Sequence, residues 1–135
     1  MNLTIEMPWE RDLSVNAYRF GRPAPGQKFR RRKPHVQGWM KDLELWVWFE
    51  RRVYDGEIIP KSWPPIINLP VNVVVHFRFP DNRRRDDHNS HKVICDSVAT
   101  GLGIDDKDIR ISTGSVTVDK ANPGFSIELS DETER

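Results

Sequence analysis

Two short stretches carry the residue types that could do chemistry. The first is RRRDDHNSHKVICD, Arg83 to Asp96. The second is GIDDKD, Gly103 to Asp108. If the backbone is extended at the start of the first stretch, Asp86 and His88 point to one side and Asp87 to the other. If the chain then turns helical, His88, Lys92 and Asp96 follow at four-residue steps and share a face. Asp105 and Asp106 come just after that helix. A strand end, a helix start and a second strand start that meet at one point would bring these groups together. Converging carboxylates repel, by about 1 kcal/mol at 4 Å in water and about 4 kcal/mol at an effective dielectric of 20. A divalent cation removes that penalty. Mg²⁺ takes one or two carboxylates plus water, and shares the rest of its shell with phosphate. A metal so placed polarises a phosphoryl oxygen and activates a bound water. Arg83, Arg84 and Arg85, immediately upstream, suit the phosphate backbone of a nucleic acid. The chemistry implied is metal-dependent phosphodiester cleavage.

A plainer reading accounts for the same residues. Acidic side chains favour helix N-termini, which alone explains Asp86 and Asp87. GIDD is an ordinary turn, and a lone histidine such as His88 serves as a surface or capping residue.

The elements that must position these groups are legible in the hydropathy pattern. NLTIEM alternates as a short strand. Residues 8–34 are punctuated by Pro8, Gly21, Pro23, Pro25, Gly26 and Pro34 and read as irregular. The spacing predicts a helix over Val36 to Tyr54. Trp39, Leu43, Trp46, Val47 and Val53 form one stripe on it, and Leu45, Trp48 and Phe49 a second. Two apolar stripes suit two partners, such as the helix's own sheet and another subunit; one broad core face is the alternative. Residues 55–70 form a proline-rich connector. VNVVVHFRF, Val71 to Phe79, is the clearest strand. A second helix is predicted from about Asn89 to Thr100, with Ile94, Val98 and Leu102 inward and Gly101 and Gly103 as its stop. DIRISTGSVTVDK and GFSIELS read as two strands joined as a hairpin through Asn122-Pro123-Gly124. The order β-α-β-α-β-β predicts an α+β domain with a single mixed sheet of about four strands and two helices packed on it.

The chain has 135 residues, enough for one domain over 1–135 with a core of its own, and residues 131–135 read as a flexible tail. Net charge is +1, so there is no global basic field. Local basic runs, KFRRRK at 28–33 and RFPDNRRR at 78–85, still attract a polyanion. Cys95 is the single cysteine, which excludes an intrachain disulfide and Cys-based zinc sites. No apolar h-region opens the chain, and no apolar run approaches the roughly 20 residues that cross a bilayer. The expected setting is the cytoplasm, with no membrane partner.

The segment PVNVVVHFRFPDNRRRDDHNSHKVICDSVATGLGIDDKDI, residues 70–109, resembles the RusA-type Holliday junction resolvases. Their pattern is a strand, a basic run, Asp-x-Asp-Asn, a lysine three residues on, an aspartate four further, and an Asp-Asp pair after the helix. Here these fall on Asp86, Asn89, Lys92, Asp96 and Asp105-Asp106. PWERDLSVNAYR, residues 8–19, is similar to the family's opening, with Ser14 and Asn16 in place. The resemblance covers most of the chain; the connector around Trp63 and GRPAPGQKFRRRK at 21–33 look like additions.

The resemblance implies a bacterial or phage-encoded homodimeric endonuclease of DNA recombination and repair. It would bind four-way DNA junctions and nick two opposed strands with Mg²⁺. Asp86 and Asp106 would be metal ligands, with Asp105 sharing the role. Lys92 would be a catalytic or phosphate-stabilising cation. Asp96 would support Lys92. Asn89 and the arginines at 83–85 would position the DNA backbone, with Ser14, Asn16, Arg30 and Arg31 extending that surface. In-line attack by water would leave a 5′-phosphate and a 3′-hydroxyl. One departure matters: the family's second metal-binding aspartate falls on His88. Imidazole removes a negative charge and suits Mn²⁺ better than Mg²⁺. His88 as ligand, Asp87 turned in to replace it, and a junction-binding protein with weak or no nuclease activity are the three outcomes this departure leaves open.

Overall fold

The structure is a computed structural model that describes residues 2–11, 13, 19–20, 31–52, 68–83 and 90–131. Its elements run β1 (Asn2–Pro8), β2 (Arg19–Phe20), β3 (Arg31–Arg32), α1 (Pro34–Arg52), β4 (Val71–Phe79), α2 (His91–Leu102), a 3₁₀ turn (Asp106–Asp108), β5 (Ile109–Val118) and β6 (Gly124–Ser130). The architecture is the α+β one expected, a four-stranded mixed sheet in the order β1-β6-β4-β5 with two helices. β2 and β3 add a separate two-residue ladder within the region read as irregular. The proline-rich connector falls outside the described residues except for Asn68 to Pro70, and only Asp131 of the tail is described.

β4 is the organising strand. Val71, Val73, Val75, Phe77 and Phe79 alternate to one face and are all buried. β6 runs antiparallel to β4 on one side, and β5 runs parallel to it on the other. Parallel neighbours need a crossover rather than a tight turn, and α2 supplies it. The helices cover the apolar face, against Leu3, Ile5 and Met7 of β1 and Phe125, Ile127 and Leu129 of β6. The other face is polar. There Arg78 donates to the Asn122 carbonyl, to Ser126 Oγ at 2.6 Å and to Glu6 Oε2 at 3.1 Å, tying β4 to both strands beyond it.

The hairpin expected between β5 and β6 does not form. β6 crosses the end of β4 and inserts between β4 and β1. β6, with Phe125, Ile127 and Leu129 all buried, takes a central position, and β5, exposed along most of its length, lies at an edge. Asp119 makes the crossing. Its N–H donates to the Phe79 carbonyl at 2.8 Å, and its carboxylate accepts from Ala121 N and Asn122 N.

α1 opens on Pro34, which needs no donor in the first turn. Its buried stripe is Val36, Trp39, Met40, Leu43 and Val47. Trp46, placed on that stripe by its spacing, is instead half exposed. It stands about 100° around the helix from Val47, at the margin of the inner arc. α2 ends two residues later than Gly101 would suggest. Gly101 lies inside the helix, and Gly103, at φ 72°, terminates it. The Gly103 N–H donates to Thr100 O and the Ile104 N–H to Ala99 O, the paired bonds of a Schellman cap.

Gly101 has another task. A Cβ there would stand 2.8 Å from the Glu44 carbonyl oxygen and 2.8 Å from Val47 Cβ. The helices therefore meet where one of them has no side chain. Gly101→Ala should cost about 1–3 kcal/mol through overpacking, measured by denaturant unfolding. A wild-type midpoint would contradict this contact.

Candidate functional site

The crossover helix and the turn after it assemble the described part of the site. Lys92 lies in the first turn of α2, and its Nζ stands 3.4 Å from Asp96 Oδ1, one turn on. Cys95 sits beside that pair. It is half-buried against the core, and its thiol donates to the Asp106 carbonyl oxygen at 3.8 Å. Burial pushes the Cys95 thiol above its ordinary pKa. The carboxylates of Asp96 and then Asp106 push it further the same way, and Lys92 pulls it down. The sulfur therefore feels all three charged groups, although they come from two elements.

Asp105 and Asp106 have separate tasks. Asp105 caps the 3₁₀ turn, accepting from the Lys107 N–H at 3.1 Å. That bond, then the neighbouring Asp106 side chain and the nearby Lys107 charge, hold Asp105 below the usual carboxylate range. Asp106 is exposed and lines a cleft of about 340 Å³ between α1 and α2, together with Asp96, Thr100 and Glu44. Glu44 was not singled out by motif or spacing. It follows Leu43 of the buried stripe and lies four residues after Met40, so a helix projection would have placed it at the inner margin.

The expected meeting of a strand end and a strand start does not occur. Val71 pairs with Ile109 and Phe79 with Val118, so the end of β4 and the start of β5 lie eight residue steps apart, roughly 26 Å at 3.3 Å per residue. The convergence is instead between the first turns of α2 and the turn that feeds β5. It exists because α2 runs back along the sheet. His91 anchors the start of that return: its Nε2 stands 2.9 Å from Thr113 Oγ1, and its ring stacks on Phe77.

The other expected site residues are distributed as follows. Arg83 is exposed, with its N–H donating to Asp81 Oδ1 at 2.9 Å and its Nε 3.7 Å from Asp81 Oδ2. Arg31 lies on β3. Arg84, Arg85, Asp86, Asp87, His88 and Asn89 lie outside the described residues, as do Ser14, Asn16 and Arg30.

Among the described residues, no group of three or more His, Cys, Asp or Glu side chains is disposed to hold a metal ion. Asp96, Asp105 and Asp106 offer only oxygen donors, which is the donor chemistry a hard divalent cation takes. Among the described residues, no helix is long and apolar enough to cross a membrane. The chain matches no protein-family model and no curated protein.

The field at Cys95 gives a direct check on this arrangement. A raised pKa leaves little thiolate near neutrality, so alkylation should be slow at pH 8 and accelerate as pH rises. Asp106→Asn and Asp96→Asn each remove a charge that raises the pKa and should speed alkylation at pH 8 several-fold. Lys92→Gln should slow it. Identical rates in all three variants would show that these groups do not surround the sulfur.

Proposed function

We propose that the chain is a divalent-metal-dependent endonuclease that binds four-way DNA junctions as a homodimer and resolves them by paired, symmetric nicks. The observation that carries the reading is the convergence of Lys92, Asp96 and Asp106 around Cys95, on a helix that begins directly after Arg83-Arg84-Arg85-Asp86-Asp87-His88-Asn89. Asp86 and His88 precede Ser90 by four and two residues. Chain connectivity keeps their backbones within about 14 Å of it.

On this reading Asp86, His88 and Asp106 hold the cation, with Asp105 beside them. When bound, Mg²⁺ or Mn²⁺ supplies a Lewis acid and an activated water. Arg84, Arg85 and Asn89 hold the DNA backbone. Lys92 meets the charge that grows on the phosphoryl oxygens, and stabilises the transition state more than the ground state. Its present partner does not prevent this. An exposed i,i+4 ion pair contributes only about 0.3–0.5 kcal/mol, so a phosphate displaces Asp96 at little cost. The proposed setting is the cytoplasm of a bacterium, with the gene cellular or phage-borne.

A second reading rests on His88, which stands where the resembled pattern has an aspartate. It makes the chain a junction-binding protein with weak or no cutting. A labelled four-way junction, assayed for nicks in Mg²⁺ and separately in Mn²⁺, distinguishes the two. Symmetric nicks in either metal support the endonuclease; tight binding without product in both supports the second reading.

Asp86→Asn should abolish nicking and spare junction binding, because it removes charge from the metal shell and not from the phosphate cradle. Wild-type nicking would refute its assignment. His88→Asp should increase Mg²⁺-supported activity, and an unchanged metal preference would transfer the ligand role to Asp87. Junction affinity should fall steeply with salt, with a log–log slope that becomes shallower by about one when Arg84 or Arg85 is replaced by Ala.

A further inference from the structure

We propose that the outward face of the C-terminal half of α1 is the surface on which two copies of this chain pair, antiparallel and centred on position 47. This rests on the pairing of two copies proposed above, and not on the nuclease chemistry.

The starting observation is a change of character along one helix. In its first half, α1 is amphipathic: Val36, Trp39, Met40 and Leu43 are buried, while His35, Gln37, Lys41 and Asp42 are exposed. From Leu45 to Phe49 it is apolar all round. Val47 is buried, yet Leu45 is 64% exposed, Trp46 49%, Trp48 45% and Phe49 49%. Leu45 and Phe49 lie roughly opposite the buried stripe at 100° per residue. A helix segment that is apolar on every side belongs in an interior or an interface. Trp46 and Phe49 already meet edge to face, with ring centroids 6.4 Å apart, which presents a preformed aromatic surface.

The order of residues argues for a second copy as the occupant. An antiparallel two-fold pairing centred on position 47 matches every position with the one that brings their sum to 94. Leu45 then meets the copy's Phe49, and Trp46 meets its Trp48. Asp42, one turn before the apolar segment, falls opposite position 52, an arginine. An isologous interface demands this kind of self-complementarity, with each apolar group facing an apolar one and each charge its opposite. Glu44 and Glu50 are matched by the same register, but both are half-buried and lie toward the core side of the helix. Aromatic residues dominate the centres of such interfaces. A standard interface buries about 800 Å² a side, so these four side chains form its apolar centre, and the rim comes from surfaces beside α1.

Sedimentation equilibrium of the full chain over a micromolar range tests this. The expected result is a dimer, with Leu45→Lys/Phe49→Lys sedimenting as a folded monomer by circular dichroism. Should that variant misfold, the charge pair decides. Asp42→Arg and Arg52→Asp should each weaken the dimer at least tenfold, and the two together should restore it. A wild-type monomer at all concentrations would overturn the proposal, including the case where residues 53–67 of the same chain shield the tryptophans. So would a dimer unaffected by both sets of variants. A dimer without nuclease activity leaves this surface standing and removes the chemistry proposed above; a cutting monomer does the reverse.

Discussion

The parallel pairing of β4 with β5 is the constraint from which the rest of the molecule follows. Two parallel neighbours cannot be closed by a tight turn. The chain leaving Phe79 must return to the far end of the sheet before Ile109 can pair with Val71. α2 makes that return. In doing so it carries Lys92, Cys95 and Asp96 past the turn that feeds β5, and the Cys95 thiol meets the Asp106 carbonyl there. Gly101 lets α2 lie against α1. That contact brings Glu44 into the same cleft as Asp96 and Asp106.

Among the described residues, two sets of charged groups contrast. On the open face of the sheet, Arg78 donates to three partners at once, and Ser126 donates to Glu6 as well. On the same face His76 Nδ1 stands 2.8 Å from Ser115 Oγ. These groups stitch strands together through bonds of 2.6–3.1 Å. Near α2 the pairs are longer: Lys92 to Asp96 at 3.4 Å and Arg83 to Asp81 at 3.7 Å. Pairs of that kind contribute little to stability.

Much of the fold was legible because β4 and α2 obey simple periods. The strict alternation from Val71 to Phe79 and the four-residue steps of Ile94, Val98 and Leu102 each admit one reading, and both hold. Pairing partners were not legible. β5 and β6 look like a hairpin because a turn sequence joins them, but strand order depends on which strand can be buried on both edges. Trp46 was misplaced because spacing does not reveal how wide an arc the neighbours cover. The site was legible as a set of residue types, and the Lys92–Asp96 pair follows from helical spacing alone. The closeness of Asp106 to Cys95 does not, because it depends on α2 running back along the sheet. Glu44 was legible only as far as the inner margin of α1; that it faces the crossover helix depends on how the two helices pack.

The central claim is that the turn before β5, the start of α2 and the residues just upstream of it jointly grip a cation. A crystal of the full chain grown with Mn²⁺, measured at the manganese absorption edge, tests it directly. The account predicts one anomalous peak per site within coordination distance of carboxylate oxygens of both Asp86 and Asp106, with the His88 imidazole in the same shell. No peak in the cleft, or a manganese ion bound without any of these three residues, would contradict it.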